Sequence, residues 1–235
     1  MSFAATTVEG SSPRAIFFDL DGTLVDSAPD IAAAVNELMA GHGLAPHSLE
    51  VVRGMIGNGI EALVERAFAA HGIVLSRREF HERYAAMIEI YADNLTRLTA
   101  LRHGAAQALS AAHAAGLRTG VVTNKPEGFS RIILSHFNLL ANLDLVIGGD
   151  SGYPKKPSPD MLLAACRACG CGTNEAMLVG DSATDVAAAR AAGVTCIILR
   201  GGYTAIPAEA IGADCVIDRL DELEAAFLAA GKAAK

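Results

Sequence analysis

Two aspartates interrupt an apolar run at residues 16–24, IFFDLDGTL. Asp19 and Asp21 stand where a buried strand should end, and Gly22 follows them. Desolvation disfavours an ionised carboxylate, so a pair of them beside a hydrophobic strand calls for a cation, hydrogen-bond donors or a catalytic use. More polar residues stand where later apolar runs give out. Thr123 and Asn124 follow RTGVV, and Asp181 follows AMLVG with Asp185 four residues on. Lys156 lies in the loop YPKKPSPD, with Lys155 beside it and Lys125 next to Asn124 as rivals. Taken singly, each is explained as a cap, a turn residue or a solvated lysine. Their coincidence on one edge of one sheet favours a site.

The surrounding pattern supplies that sheet. After about residue 101, helical segments at 104–115, 127–136, 159–169 and 183–192 alternate with the apolar strands RTGVVTN, LDLVIGG, AMLVGD and TCIILR. ADCVID and a terminal helix complete the series, and AIFFDL is the first strand. Short continuous apolar strands separated by helices predict an α/β fold with a doubly wound parallel sheet. Ser158 and Pro159 read as the N-cap and first position of the helix after Lys156.

Residues 28–98 break the rhythm. PDIAAAVNELMAGHG, GIEALVERAFAAHG and SRREFHERYAAMIEIYADN have helical periodicity and no convincing strand. Ser27 or Pro29 can open the first of these helices, and Gly41 or Gly43 can close it. The expected organisation is an α/β core of residues 1–26 and 99–235 carrying an inserted all-helical cap of residues 27–98. Such an insert overhangs the carboxyl end of the first strand, the edge at which open α/β sheets bind ligands.

The bulk numbers narrow the function. A chain of 235 residues that is 51% hydrophobic can bury a substantial core with a smaller inserted domain. Nineteen basic against 26 acidic residues give a net charge of -7 without a basic stretch, which argues against nucleic acid as a partner. No apolar run reaches the length of a membrane span, and the start MSFAATTVEGSSPR has no signal-like pattern, so a cytoplasmic location is expected. Three of the five cysteines cluster in CRACGC, but no second cluster follows at zinc-like spacing, and they read as small, partly buried thiols.

FDLDGTLVDS, VVTNK, KKPSPD and VGDSATD together resemble the four ordered motifs of the haloacid dehalogenase superfamily, over essentially the whole chain. Within it the chain is most similar to bacterial phosphoglycolate phosphatases, through LVDSAPDIAAAVN, IGNGIEALVERAF and VIGGD. The resemblance implies hydrolysis of a small-molecule phosphate ester, 2-phosphoglycolate first, with Mg²⁺ as cofactor. It makes Asp19 the nucleophile that forms an aspartyl phosphate, and Asp21 the acid that protonates the leaving alkoxide and then activates water. Mg²⁺ is expected on Asp19, Asp181 and the main-chain carbonyl of Asp21. Thr123 and the neighbouring loop, including Asn124, would hold phosphoryl oxygens. Lys156, the lysine before the proline, would offset charge on nucleophile and phosphoryl group, and Asp185 would order metal waters or Lys156.

From the cap, Arg53 is the expected partner of a substrate carboxylate, with Asn58 in the turn GNG beside it. The linker Leu101, Arg102, His103, Gly104 departs from the aromatic or proline pair common in these phosphatases. Other outcomes are a phosphatase for a sugar phosphate, muramic acid 6-phosphate or pyrophosphate, or a phosphomutase. A phospho-accepting signalling module is the non-enzymatic alternative, although it has no use for a cap or for Asp21. The chain is expected to act as a monomer or homodimer.

Overall fold

The structure is a computed structural model that describes residues 13–204 and 206–223. Its chain order begins with strand β1 (Ala15–Phe18) and the short strand β2 (Val25–Asp26). Helices α1 (Ala28–Ala40), α2 (Leu49–Arg53), α3 (Ile60–Ala69) and α4 (Arg77–Ala92) follow without an intervening strand. The chain then returns through β3 (Ala100–Leu101), α5 (Ala105–Ala114), β4 (Arg118–Val122), α6 (Glu127–His136) and β5 (Leu145–Ile147). It continues with α7 (Asp160–Cys169), β6 (Ala176–Gly180), α8 (Ala183–Ala192), β7 (Thr195–Leu199) and β8 (Cys215–Ile217). The expected terminal helix lies outside the described residues.

Six strands form one sheet in the order β5-β4-β1-β6-β7-β8, with every neighbouring pair parallel. This is the doubly wound α/β arrangement, with β1 at the centre. Side chains alternate across a strand, so β1 divides its apolar residues between the two faces. Ile16 and Phe18 join Leu109, Ile133 and Leu134 of α5 and α6. Ala15 and Phe17 join Met161, Leu162 and Val186 of α7 and α8 on the opposite face. Both phenylalanines are wholly buried, each contributing about 1.5–3 kcal/mol relative to an exposed side chain.

The helical insert is tied to this core at its base. β2 pairs antiparallel with β3, Val25 opposite Leu101 and Asp26 opposite Ala100, so the outgoing and returning chains lie side by side. A strand of two residues leaves no alternation for a sequence pattern to detect. The α1 residues Ile31, Ala34, Val35 and Leu38 recur at helical spacing and are buried. Asp30 is also buried, and its carboxylate accepts from the backbone N–H of Leu98 and Thr99 and from the Thr99 hydroxyl, at 2.7–2.9 Å. Those bonds fasten the end of the insert to the start of its first helix. The five-residue helix α2 is an addition to the three helices read from the sequence. Ser48 caps it by accepting from Val51 N–H.

Candidate active site

The polar residues singled out in the core lie just beyond a strand end, in the loop before α7 or, for Asp185, in the first turn of α8. Asp19 directly follows β1, and its N–H donates to Val179 O at 2.8 Å. Thr123, Asn124 and Lys125 follow β4, Asp181 follows β6, and Lys156 comes from the loop between β5 and α7. Lys156 Nζ stands 2.9 Å from Asp19 Oδ1 and 2.6 Å from Asp185 Oδ1. Of the two lysine rivals, Lys155 turns to Glu61 of α3 at 2.5 Å, and Lys125 turns to Asp21.

Asp185 owes its position to the start of α8. Ser182 caps that helix, and its backbone N–H and hydroxyl both donate to Asp185 Oδ2, at 3.1 and 2.6 Å. The Asp181 N–H also donates to Asp185 Oδ2, at 3.3 Å. With Lys156 on its other oxygen, Asp185 is saturated and holds the lysine against Asp19. Asp181 Oδ2 accepts from the Tyr203 N–H at 2.6 Å. Two glycines let the chain come this close. A Cβ at Gly202 would lie 2.2 Å from Asp181 Oδ2, and one at Gly22, where φ is +87°, would lie 2.3 Å from it. Neither position tolerates a side chain without moving the carboxylate.

Burial dominates the electrostatics. It pushes the Asp19 carboxyl up from an ordinary 3.8 to about 6, with Lys156 opposing the rise and Asp185 adding to it. Asp181 is raised well above the usual carboxylate range by burial and by its acidic neighbours Asp185 and Asp19. For Lys156 burial works against the charge, but Asp185 and Asp19 outweigh it and raise the ammonium above its ordinary value.

Asp19, Asp181 and Asp185 each present a carboxylate oxygen within 4.8 Å of the others, and all three are buried. Three carboxylates facing one lysine leave uncompensated negative charge, and hard oxygen donors in this number fit a divalent cation that keeps some of its waters. Because Asp185 is already saturated, Asp19 and Asp181 are the members with capacity to hold it.

Asp21 faces the same space from the turn. Its Oδ1 accepts from the Ser27 hydroxyl at 2.5 Å, and Lys125 Nζ lies 2.9 and 3.0 Å from its two oxygens. Ser27 therefore serves Asp21 rather than capping α1 with its side chain. The Tyr203 hydroxyl takes over at that helix end. It accepts from the N–H of Ser27 and Ala28 at 2.8 and 3.0 Å and donates to Asp26 Oδ1 at 2.8 Å. Ser158 likewise is not the cap of α7. Pro159 occupies that position, and the Ser158 hydroxyl turns to the Asp160 carboxylate.

A cleft open to solvent lies between the strand ends and the insert. Asp19, Asp21, Thr123, Asn124 and Lys125 form one side, while Ile31, Ile56, Ile60, Leu63 and Tyr91 form the other. The Asn124 side-chain N–H₂ bridges Gly57 O at 2.9 Å and Lys156 O at 2.8 Å, joining insert to core. The two cap residues expected at the substrate, Arg53 and Asn58, have partners within the protein. Arg53 pairs with Asp26 at 3.1 Å, Asn58 accepts from Arg66 at 2.7 Å, and neither is among the described residues lining the cleft. In the sequence Lys125 stands only as a rival to Lys156, and nothing local marks Tyr91 or Tyr203. Their contacts join residues 34 to 177 positions apart, beyond the reach of local pattern.

A family model described as haloacid dehalogenase-like hydrolase matches residues 16–199. A phosphoglycolate phosphatase of Rhodospirillum rubrum is 40% identical over 212 residues, which cover 88% of this chain and 87% of that protein. Among solved structures, a predicted phosphoglycolate phosphatase from Haemophilus somnus superposes with a TM-score of 0.86 at 31% identity, covering 91% of this chain and 97% of its own. CbbY from Rhodobacter sphaeroides in complex with phosphate gives a TM-score of 0.78 at 29% identity, covering 90% and 96%. The chain belongs to the haloacid dehalogenase-like hydrolase family. It is an enzyme, and its similarity to these phosphatases over most of its length places it among the phosphoric monoester hydrolases.

Proposed function

We propose that the protein hydrolyses 2-phosphoglycolate to glycolate and phosphate through an aspartyl phosphate on Asp19, with Mg²⁺ as its divalent cation. The observation that carries this reading is the position of Asp19 in the lining of the cleft, with one oxygen against Lys156 and Asp21 two residues away. An anionic nucleophile approaches a phosphate dianion only where positive charge offsets their repulsion. Lys156 supplies part of that charge, and Asp185 fixes the lysine in place. Asp19, Asp181 and the Asp21 carbonyl would hold Mg²⁺, whose contribution is to neutralise phosphoryl oxygens and so ease attack by a carboxylate.

In the first step an Asp19 oxygen bonds to phosphorus, the ester bond breaks, and the leaving alkoxide takes a proton from Asp21. In the second, water attacks phosphorus while Asp21 recovers a proton, the acyl phosphate bond breaks, and Asp19 is free again. Thr123, buried at the end of β4, offers its hydroxyl to a phosphoryl oxygen. The insert acts as a cap, with apolar residues that exclude water from the reacting centre. The similarity to phosphoglycolate phosphatases supports the choice of substrate.

Phosphate release measured with Mg²⁺ on 2-phosphoglycolate, sugar phosphates, pyrophosphate and muramic acid 6-phosphate tests the assignment. A preference for 2-phosphoglycolate of at least about tenfold in kcat/KM, near 1.4 kcal/mol, is expected. A different preferred ester would overturn the substrate while leaving the Asp19 chemistry in place. Chelation should abolish turnover, and added Mg²⁺ should restore it.

A further inference from the structure

A substrate carboxylate in the cleft calls for a cation, and Arg53 pairs with Asp26 outside the described lining. The insert offers mostly apolar side chains to the cleft, and among the described residues lining it Lys125 is the one cation. The Lys125 side chain is only 2% exposed. Its Nζ lies 2.9 Å from Asp21 Oδ1, donates to the Tyr91 hydroxyl at 2.5 Å and stands 4.7 Å from the centre of the Tyr91 ring. Tyr91 comes from α4, so the ammonium sits where the acid of the core meets the wall of the insert. The Tyr91 oxygen accepts from Lys125, and among the described residues no acceptor takes its own proton. An ammonium and a phenolic hydroxyl thus converge beside Asp21, in a cleft whose other lining side chains include Ile31, Ile56, Ile60 and Leu63.

We propose that Lys125, assisted by the Tyr91 hydroxyl, binds a carboxylate on the leaving group, so that the site selects phosphate esters of small α-hydroxy acids. This rests on the reading that Asp21 meets the ester oxygen. In such an ester that oxygen and the carboxylate are both borne on the α-carbon, so the two groups need neighbouring partners, and Asp21 Oδ1 and Lys125 Nζ are neighbours at 2.9 Å. A charge-assisted bond from an ammonium that is itself only 2% exposed, added to its pairing with Asp21, discriminates against an analogue that brings it no carboxylate. The apolar neighbours add no competing hydrogen bonds, and selectivity falls on these two groups.

The readout is a ratio: kcat/KM for 2-phosphoglycolate divided by that for 2-hydroxyethyl phosphate, in which a hydroxymethyl group replaces the carboxylate. Wild type should show a ratio well above one. In Lys125→Met both substrates lose activity, since Asp21 loses a partner, but the ratio should fall a further ~30-fold, mostly through KM. Tyr91→Phe should lower the same ratio about fivefold. A Lys125→Met ratio within about threefold of wild type would overturn the proposal and assign Lys125 to holding Asp21 alone. Should that variant fail to fold, an unchanged ratio in Tyr91→Phe overturns it instead. A wild-type ratio near one would overturn both this proposal and the choice of 2-phosphoglycolate, whereas a high ratio insensitive to both variants overturns only this proposal.

Discussion

The two sides of the cleft are built on opposite terms. On the strand-end side, carboxylates and lysines are closely paired: Asp185 is saturated by Lys156, Ser182 and the Asp181 N–H, and Asp21 is held by Ser27 and Lys125. On the helical side, Ile31, Ile56, Ile60 and Leu63 face the space, while Arg53 and Arg66 turn to partners elsewhere. The first side depends on close pairing, because a buried charge without its partner is costly. The second depends on shape and apolar surface. Substitutions on the strand-end side should therefore damage turnover far more than stability-matched changes on the helical side.

Asp19→Asn is the most severe test of that difference. It should lower kcat by about 10⁴-fold or more while the fold is retained, measured by phosphate release and circular dichroism. Its effect on stability has the opposite sign. A carboxyl held near 6 in the folded chain against 3.8 outside it favours folding while protonated. That contribution is fully present below about pH 4 and is lost as pH rises through about 6. In metal-free protein, the Asp19→Asn substitution should therefore raise Tm at about pH 8 and change it little at about pH 4. Next comes Lys156→Met, which leaves Asp19 and Asp185 facing each other without their cation. A stability loss of about 3–5 kcal/mol is expected in urea unfolding, along with near-complete loss of turnover.

Leu63→Ala sharpens the comparison from the helical side. Leu63 is 4% exposed, and its truncation should cost about 2–4 kcal/mol of stability. Yet kcat should stay within about tenfold of wild type, because no reacting group loses a partner. A larger fall in kcat would show that the wall positions substrate closely. Arg53→Ala should do least. Its ion pair with Asp26 is partly exposed, and KM for 2-phosphoglycolate should change by less than about threefold.

The sequence conveyed the strand-end side better than the helical side, for a physical reason. Strands buried on both faces are continuous apolar runs, so Asp19, Thr123 and Asp181 stood out as the residues that end them. The glycine after the aspartates announced the sharp turn where φ reaches +87°. What joins the insert to the core leaves no such trace. Tyr203 reaches Ser27 across 176 residues, and Lys125 reaches Tyr91 across 34, through contacts that exist only after the helices dock. Arg53 has the right charge for a substrate carboxylate, and nothing local in the sequence shows that it pairs with Asp26, 27 residues earlier. Lys125 was visible in VVTNK, yet nothing local distinguished a lysine that faces Asp21 from one that faces solvent.

The central claim is that Asp19 carries the phosphoryl group. Rapid acid quenching during turnover of 2-phosphoglycolate with Mg²⁺, followed by borohydride reduction and peptide mass spectrometry, tests it directly. An acyl phosphate is reduced to an alcohol and a free carboxylate is not, so the account requires homoserine at position 19 and unaltered aspartate at positions 21, 181 and 185. Turnover with no reduced residue at position 19, or with the reduction at another aspartate, would contradict it.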